Sequence, residues 1–184
     1  NVKNTDGVVA MDDEIPMNMI RLFNEPEGKK LLKAQGVSDE VIAKLQWAGI
    51  SGCANIASAI KMAKYFEMKE DDVIVTVLTD SMDMYGSRLE EMTEIHGEFT
   101  ALEAYRVYHQ YLQGINTEYF KELNYRERKA VHNLKYYTWV EQQGKTYEEI
   151  CAQWDDDSYW TSIPEKMAAL DELINAFNEA VKNS

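Results

Sequence analysis

Long apolar runs are missing from this chain. None approaches the ~20 residues that a membrane-spanning helix requires. No basic-then-apolar leader precedes the first acidic residues. Cysteine is scarce: Cys53 and Cys151 are the only two, with no CxxC spacing. That excludes a disulfide framework and a thiolate zinc site, and it predicts two free thiols in a reducing, cytoplasmic compartment. The three histidines, His96, His109 and His132, lack metal-ligand spacing, so no metal site is expected. The nine glycines are scattered, with no P-loop, no GxGxxG and no other run able to cradle a phosphate. A Gly-x-Ser-x-Gly nucleophile elbow is also absent. Positive charge is in deficit, with 19 Lys and Arg against 32 Asp and Glu. The resulting net charge of −13 makes nucleic acid and anionic lipid poor partners.

What remains is the composition of an ordinary globular chain: 184 residues, 45% hydrophobic and 28% charged. The first residue is Asn, not Met, and is read as the mark of a processed chain or of one part of a longer protein.

Helical periodicity places Ile15, Met19, Ile20, Leu22 and Phe23 on one face after the acids 12–14. Ser38, followed by Asp39 and Glu40, reads as an N-cap opening a short helix. Residues 47–50 read as a brief strand, residues 52–68 as a helix, and residues 73–78 as a second strand. The last of these, Val-Ile-Val-Thr-Val-Leu, is β-branched without alternation, the pattern of a parallel strand buried on both faces. Strand, helix and strand in this order predict a right-handed βαβ unit. The short apolar run around Val8 is a third candidate for the same sheet. Beyond Gly97 the α/β pattern stops, and helices are expected over 101–112, 125–143, 147–153 and 166–181. The predicted fold class is therefore α/β: a few parallel strands with helices over residues 1–96, then a helical extension over 97–184.

In open parallel sheets, ligands lie beyond the carboxyl ends of the strands. Two such ends are expected here. At Gly49-Ile50-Ser51-Gly52 a strand turns into a helix, with Ser51 placed to cap it and with small residues that let a ligand approach. At Thr79-Asp80-Ser81 three polar side chains follow the apolar run. Each taken alone also suits a plain cap or turn. The acids at 155–157 could draw a cation or simply begin a helix. Lys61 and Lys64 are expected to face solvent. Residues 125–143, rich in Arg, Lys, Tyr and Trp, could form an amphipathic core helix, an interface or a lid.

Residues 49–64 and 72–88 resemble the cysteine synthases and cystathionine β-synthases, fold-type II pyridoxal-phosphate enzymes. Such enzymes open an Ala-rich helix with a Gly-Ile-Ser-Ser-Gly-Ala-like turn, then carry a buried strand, a polar turn and a tyrosine. Tyr85 falls at the tyrosine position. Gly52, Cys53 and Thr79 depart from the usual Ser, Gly and Pro. A less described cysteine-synthase-like group is similar over most of the chain, including Thr79-Asp80-Ser81 and residues 132–145. The resemblance implies that this is the carboxy-terminal part of such an enzyme's large domain. It implies pyridoxal phosphate as cofactor in the complete enzyme, held at its pyridine edge by Ser51, with Gly49, Gly52, Thr79, Asp80 and Ser81 around it. The implied chemistry is β-elimination or β-replacement on a small amino acid, by a lyase or transferase of amino-acid metabolism.

The lysine that would hold the cofactor as a Schiff base, and its phosphate loop, have no counterpart in the sequence. The isolated chain is therefore expected to be inactive and to bind no cofactor alone. The partner expected is an amino-terminal half or separate subunit carrying that lysine, in an assembly that is also a homo-oligomer. Two other readings stay open: a non-catalytic subunit of a two-chain enzyme, or an independent helical interaction domain.

Overall fold

A computed structural model describes residues 1–182 of the chain. It divides into two compact units, one of residues 9–121 and one of residues 1–8 with 122–184.

The larger unit is built on α1 (Glu14–Asn24), whose apolar stripe is buried: Met19, Ile20 and Leu22 are fully covered and Phe23 almost so. This is the face that helical periodicity singles out. Packed against it are α2 (Pro26–Ala34), α4 (Ile50–Tyr65) and α6 (Ala101–Tyr108), and the unit also holds α3 (Asp39–Lys44), which contacts α2, and α5 (Gly86–His96). Leu31, Leu32, Ala48, Cys53, Ala57, Met82, Phe99, Ala104, Val107 and Ile115 complete the core. Proline opens α2, where its missing N–H costs nothing. Ser38 caps α3 by accepting from Val41 N at 3.3 Å. Gly97 ends α5 in the left-handed region at φ 80°, a conformation other residues adopt only with strain. A π-helical turn, His109–Gln113, continues α6.

The smaller unit carries α7 (Tyr125–Asn133), α8 (Tyr147–Asp155), α9 (Ser158–Glu165) and α10 (Met167–Lys182). Reciprocal capping boxes start α7 (Asn124 with Glu127) and α8 (Thr146 with Glu149). Its buried residues are Leu123, His132, Ile150, Gln153 and Trp154. The helix expected over 125–143 stops at Asn133 and resumes as a π-helical segment, Tyr136–Val140.

The expected α/β architecture is overturned. The chain is mostly helical, and among the described residues its only strands are β1 (Gly7–Val9) and β2 (Phe120–Glu122), an antiparallel pair. No parallel sheet forms among the described residues. The strand expected over 47–50 is instead a 3-10 turn, Leu45–Trp47, running into the start of α4. Residues 73–78 are extended but join no ladder. β-Branching favours an extended backbone, but a strand exists only beside another strand, and this chain brings none alongside. Among the described residues no helix is long and apolar enough to cross a membrane.

Candidate functional site at the start of α4

Helix α4 begins without a side-chain cap. Gly49 occupies the cap position, and the first helical bond runs from Cys53 N to Gly49 O at 2.9 Å. Ser51 is therefore the second residue of the helix, not at the cap position expected for it. The amides of Ile50, Ser51 and Gly52 precede the first helical donor, Cys53 N, as in any helix start, and carry the positive end of the dipole. Ser51 is exposed and its hydroxyl makes no hydrogen bond among the described residues.

The second predicted stretch lies against the first. Gly49 N donates to the Asp80 carbonyl at 3.0 Å. Asn55, one turn into α4, donates from Nδ2 to the Val77 carbonyl at 2.8 Å. Gly52 is buried beneath Leu78, whose Cδ2 would sit 3.3 Å from an added Cβ. Gly49 is tighter still: a Cβ there would lie 2.5 Å from Asp80 Oδ1 and 3.0 Å from Tyr85 Cε2. The glycine is required by close approach.

Asp80 is held on both oxygens. The Tyr85 hydroxyl donates to Oδ2, and Thr79 Oγ1 lies 3.4 Å from Oδ1. That contact with Asp80 raises the Tyr85 pKa above the usual phenol value. Ser81 turns the other way: its hydroxyl bonds Asp83 Oδ2 at 3.1 Å and caps the short turn Met82–Met84. The structure thus brings Gly49, Gly52, Asp80 and Tyr85 together and leaves Ser51 and Thr79 exposed beside them. It commits Ser81 to its own turn.

Two residues of this place were not picked out from the sequence as site residues. Asn55 is signalled only by being polar, four places after Ser51, in a helix otherwise rich in Ala and Ile. Cys53 is fully buried, with Sγ 3.6 Å from the Ala48 carbonyl. Burial, reinforced by the negative charge of Asp80, pushes its thiol up to about 12, so it is neutral at physiological pH and is no nucleophile.

Of the two lysines of α4, Lys64 is exposed as expected, whereas Lys61 does not face solvent. Lys61 is buried and donates to the carbonyls of Asn116 and Glu118 at 3.1 and 3.0 Å. Lys64 donates to the carbonyls of Gln113, at 3.0 Å, and Ile115. Both fasten the loop after the π-turn to the far half of α4. Neither amine reaches toward Ser51, which lies near the opposite end of the helix.

Elsewhere, the acids at 155–157 serve helix geometry and pairing. Asp156 accepts from the Ser158 amide and hydroxyl, and Asp157 pairs with Lys3 at 2.7 Å. Among the described residues no group of three or more His, Cys, Asp or Glu side chains converges as metal ligands would. A charged concavity of about 470 Å³ in the larger unit is lined by Arg21, Arg88, Glu91, Glu103 and Arg106, among others. Its cations are already engaged: Arg21 with the Gly97 carbonyl and the Phe99 ring, Arg88 with Glu91, and Arg106 with Glu103.

Comparison with protein-family models, with curated proteins and with solved structures gives no match for this chain.

Proposed function

We propose that this chain supplies the pyridine-ring edge of a pyridoxal-phosphate site in an amino-acid lyase or transferase of the cysteine synthase kind. The observation that carries the reading is the junction of Gly49–Gly52 with Thr79–Asp80, with the Ser51 hydroxyl left unpartnered and exposed at its side. The reading draws on that local junction and on the resemblance of residues 49–64 and 72–88. It does not draw on a sheet.

The donor set suits one edge of the cofactor and no more. A pyridine nitrogen accepts a hydrogen bond, and the free Ser51 hydroxyl can give one. Asp80, the other group that could face a ring nitrogen, has its oxygens occupied by Tyr85 and Thr79. When bound, the cofactor supplies an electron sink for bonds at the α-carbon of an amino acid. A neutral hydroxyl cannot hold a proton on the ring nitrogen as a carboxylate would, so it leaves that sink weak. A weak sink favours prompt loss of a group from the β-carbon over racemisation. With Lys61 and Lys64 committed to carbonyls, the Schiff-base lysine and the phosphate loop belong to a partner: an amino-terminal half or a separate subunit. Two free thiols agree with a reducing compartment, and we place the chain in the cytoplasm.

The test is a titration of the isotopically labelled chain with excess pyridoxal phosphate, followed by amide chemical shifts, which register the weak, transient contact left to a chain that retains no cofactor on its own. Shifts should concentrate at Ile50, Ser51, Gly52, Thr79 and Asp80. Ser51→Ala should weaken that binding roughly 2- to 12-fold, the equivalent of one neutral hydrogen bond of about 0.5–1.5 kcal/mol. Shifts confined to surface lysines would overturn the cofactor reading. A stoichiometric visible band that survives gel filtration and vanishes on mutation of one lysine would overturn the assignment of that lysine to a partner.

A further inference from the structure

Residues 73–78 have the composition of a buried strand and the surroundings of a surface loop. Val73, Val75 and Val77 are 81, 87 and 67% exposed, and they share one side of the extended backbone. Thr76 and Leu78 are exposed as well, and only Ile74 is half-buried. Of the backbone groups in this segment, the described hydrogen bonds engage one, the Val77 carbonyl, which accepts from Asn55. The ends are fixed: Asp72 N bonds the Lys69 carbonyl at 3.0 Å, and the Asp80 carbonyl takes Gly49 N. This is a tethered, extended, β-branched run presenting free N–H and C=O groups and an uncovered apolar row. Edges of this kind recruit strands from other chains.

We infer that residues 73–78 form the docking strand of this chain, completed by an extended segment of another polypeptide that carries β-branched side chains between basic residues. The charge of the segment selects that occupant. Glu70, Asp71 and Asp72 precede it, and Asp80 and Asp83 follow it. A second copy is a poor match. Antiparallel pairing centred between Val75 and Thr76 sets Asp71 against Asp80 twice, and parallel in-register pairing sets every acid against itself. Two chains of net charge −13 also repel at long range. A strand flanked by lysine or arginine pairs its ends with these acids while its core meets Val73, Val75 and Val77. The inference stands apart from the cofactor reading, since it needs only the exposed strand and its acidic ends.

Two synthetic peptides serve as probes. Both have a short Val/Ile/Thr core, one with paired lysines at each end and the other with paired glutamates. In the lone chain, the amides of residues 73–78 should exchange rapidly with solvent. The lysine-flanked peptide should bind and protect them, about tenfold or more tighter than the glutamate-flanked one at low salt. Val75→Pro should abolish binding. Asp71→Lys with Asp72→Lys should reverse the preference between the peptides, which also covers the case where the proline variant misfolds. Protected amides in the lone chain, equal binding of the two peptides, or unchanged preference in the double-lysine variant would each overturn the proposal. So would a concentration-dependent dimer, seen in sedimentation and lost on Val75→Pro, which would give the strand to a second copy. Pyridoxal phosphate is absent from the assay, so its outcome is independent of the Ser51 experiment.

Discussion

The Tyr85 hydroxyl donates to the carboxylate of Asp80, and the same aspartate accepts the Gly49 amide on its backbone carbonyl. One residue thereby joins the start of α4 to the end of the extended segment and to the turn before α5. Gly49→Ala drives a methyl group to 2.5 Å from Asp80 Oδ1, with Tyr85 behind it. The carboxylate cannot simply swing away without leaving its hydroxyl donor. Gly49→Ala should therefore lower stability by about 1–3 kcal/mol, the usual cost of overpacking, while Gly86→Ala, with nothing within reach of its new methyl, should act as the neutral control. Thermal unfolding of both variants checks this. Equal melting temperatures would mean that Asp80 is not held where it lies.

The two thiols should differ sharply in reactivity. Cys53 is fully buried and its thiol is pushed up to about 12, whereas Cys151 is half-buried. At pH 8 a thiol reagent should modify Cys151 first, and Cys53 should react only as fast as the larger unit opens. Mass spectrometry of the singly labelled chain identifies the site. Rapid double labelling in the folded state would contradict the burial.

Much of the helical structure was legible in the sequence because its signals are local, although Ser51 does not cap α4 and the capping boxes that open α7 and α8 were not picked out. The Met19–Phe23 stripe and the Ser38 cap each follow from residues within a few positions of one another. The sheet was not legible. Residues 73–78 have strand composition, but pairing depends on what the rest of the chain brings alongside, and periodicity carries no information about that. The same limit applies to the pair that does form: the run around Val8 is a strand candidate and β1 lies there, but its partner β2 is more than a hundred residues away and too short to announce itself. For the site, the proximity of Gly49 to Asp80 was anticipated, although through a sheet that does not form. Lys61 was misjudged for a related reason. Its helix face looks polar, and only the distant carbonyls of Asn116 and Glu118 give its amine partners away from bulk solvent.

That amine yields a further expectation. Lys61→Met keeps the length of the side chain but leaves two carbonyls without their shared donor. The contact is partly buried, so the loss stays at or below the roughly 1–3 kcal/mol of a fully buried acceptor stripped of its partner, and the loop should loosen. Hydrogen exchange should quicken around residues 113–118 more than in α1. A variant as stable as the parent, with unchanged exchange there, would show that water replaces the amine at no cost.

In the smaller unit, His132 sets a pH dependence whose sign follows from its surroundings. The imidazole is almost fully buried between α7 and α8, against the Trp154 ring, with Nε2 3.0 Å from the Ile150 carbonyl. A carbonyl only accepts, so Nε2 carries the proton and donates it. Burial, the largest influence, lowers the pKa below the ordinary histidine value of 6.5, and the nearby positive charges of Lys135 and Lys129 act in the same direction. The Ile150 bond and the negative charge of Asp155 oppose them without prevailing. The unfolded chain therefore takes up a proton at a higher pH than the folded one. Stability from this group is fully present above pH 6.5 and falls as the pH drops from there toward the lowered folded value. Chemical denaturation between pH 7.5 and 5 should show that loss in the parent chain. His132→Gln, which can still donate to the Ile150 carbonyl but does not titrate, should flatten this part of the profile while lowering stability at neutral pH. Parallel profiles for parent and variant would place the titrating group elsewhere.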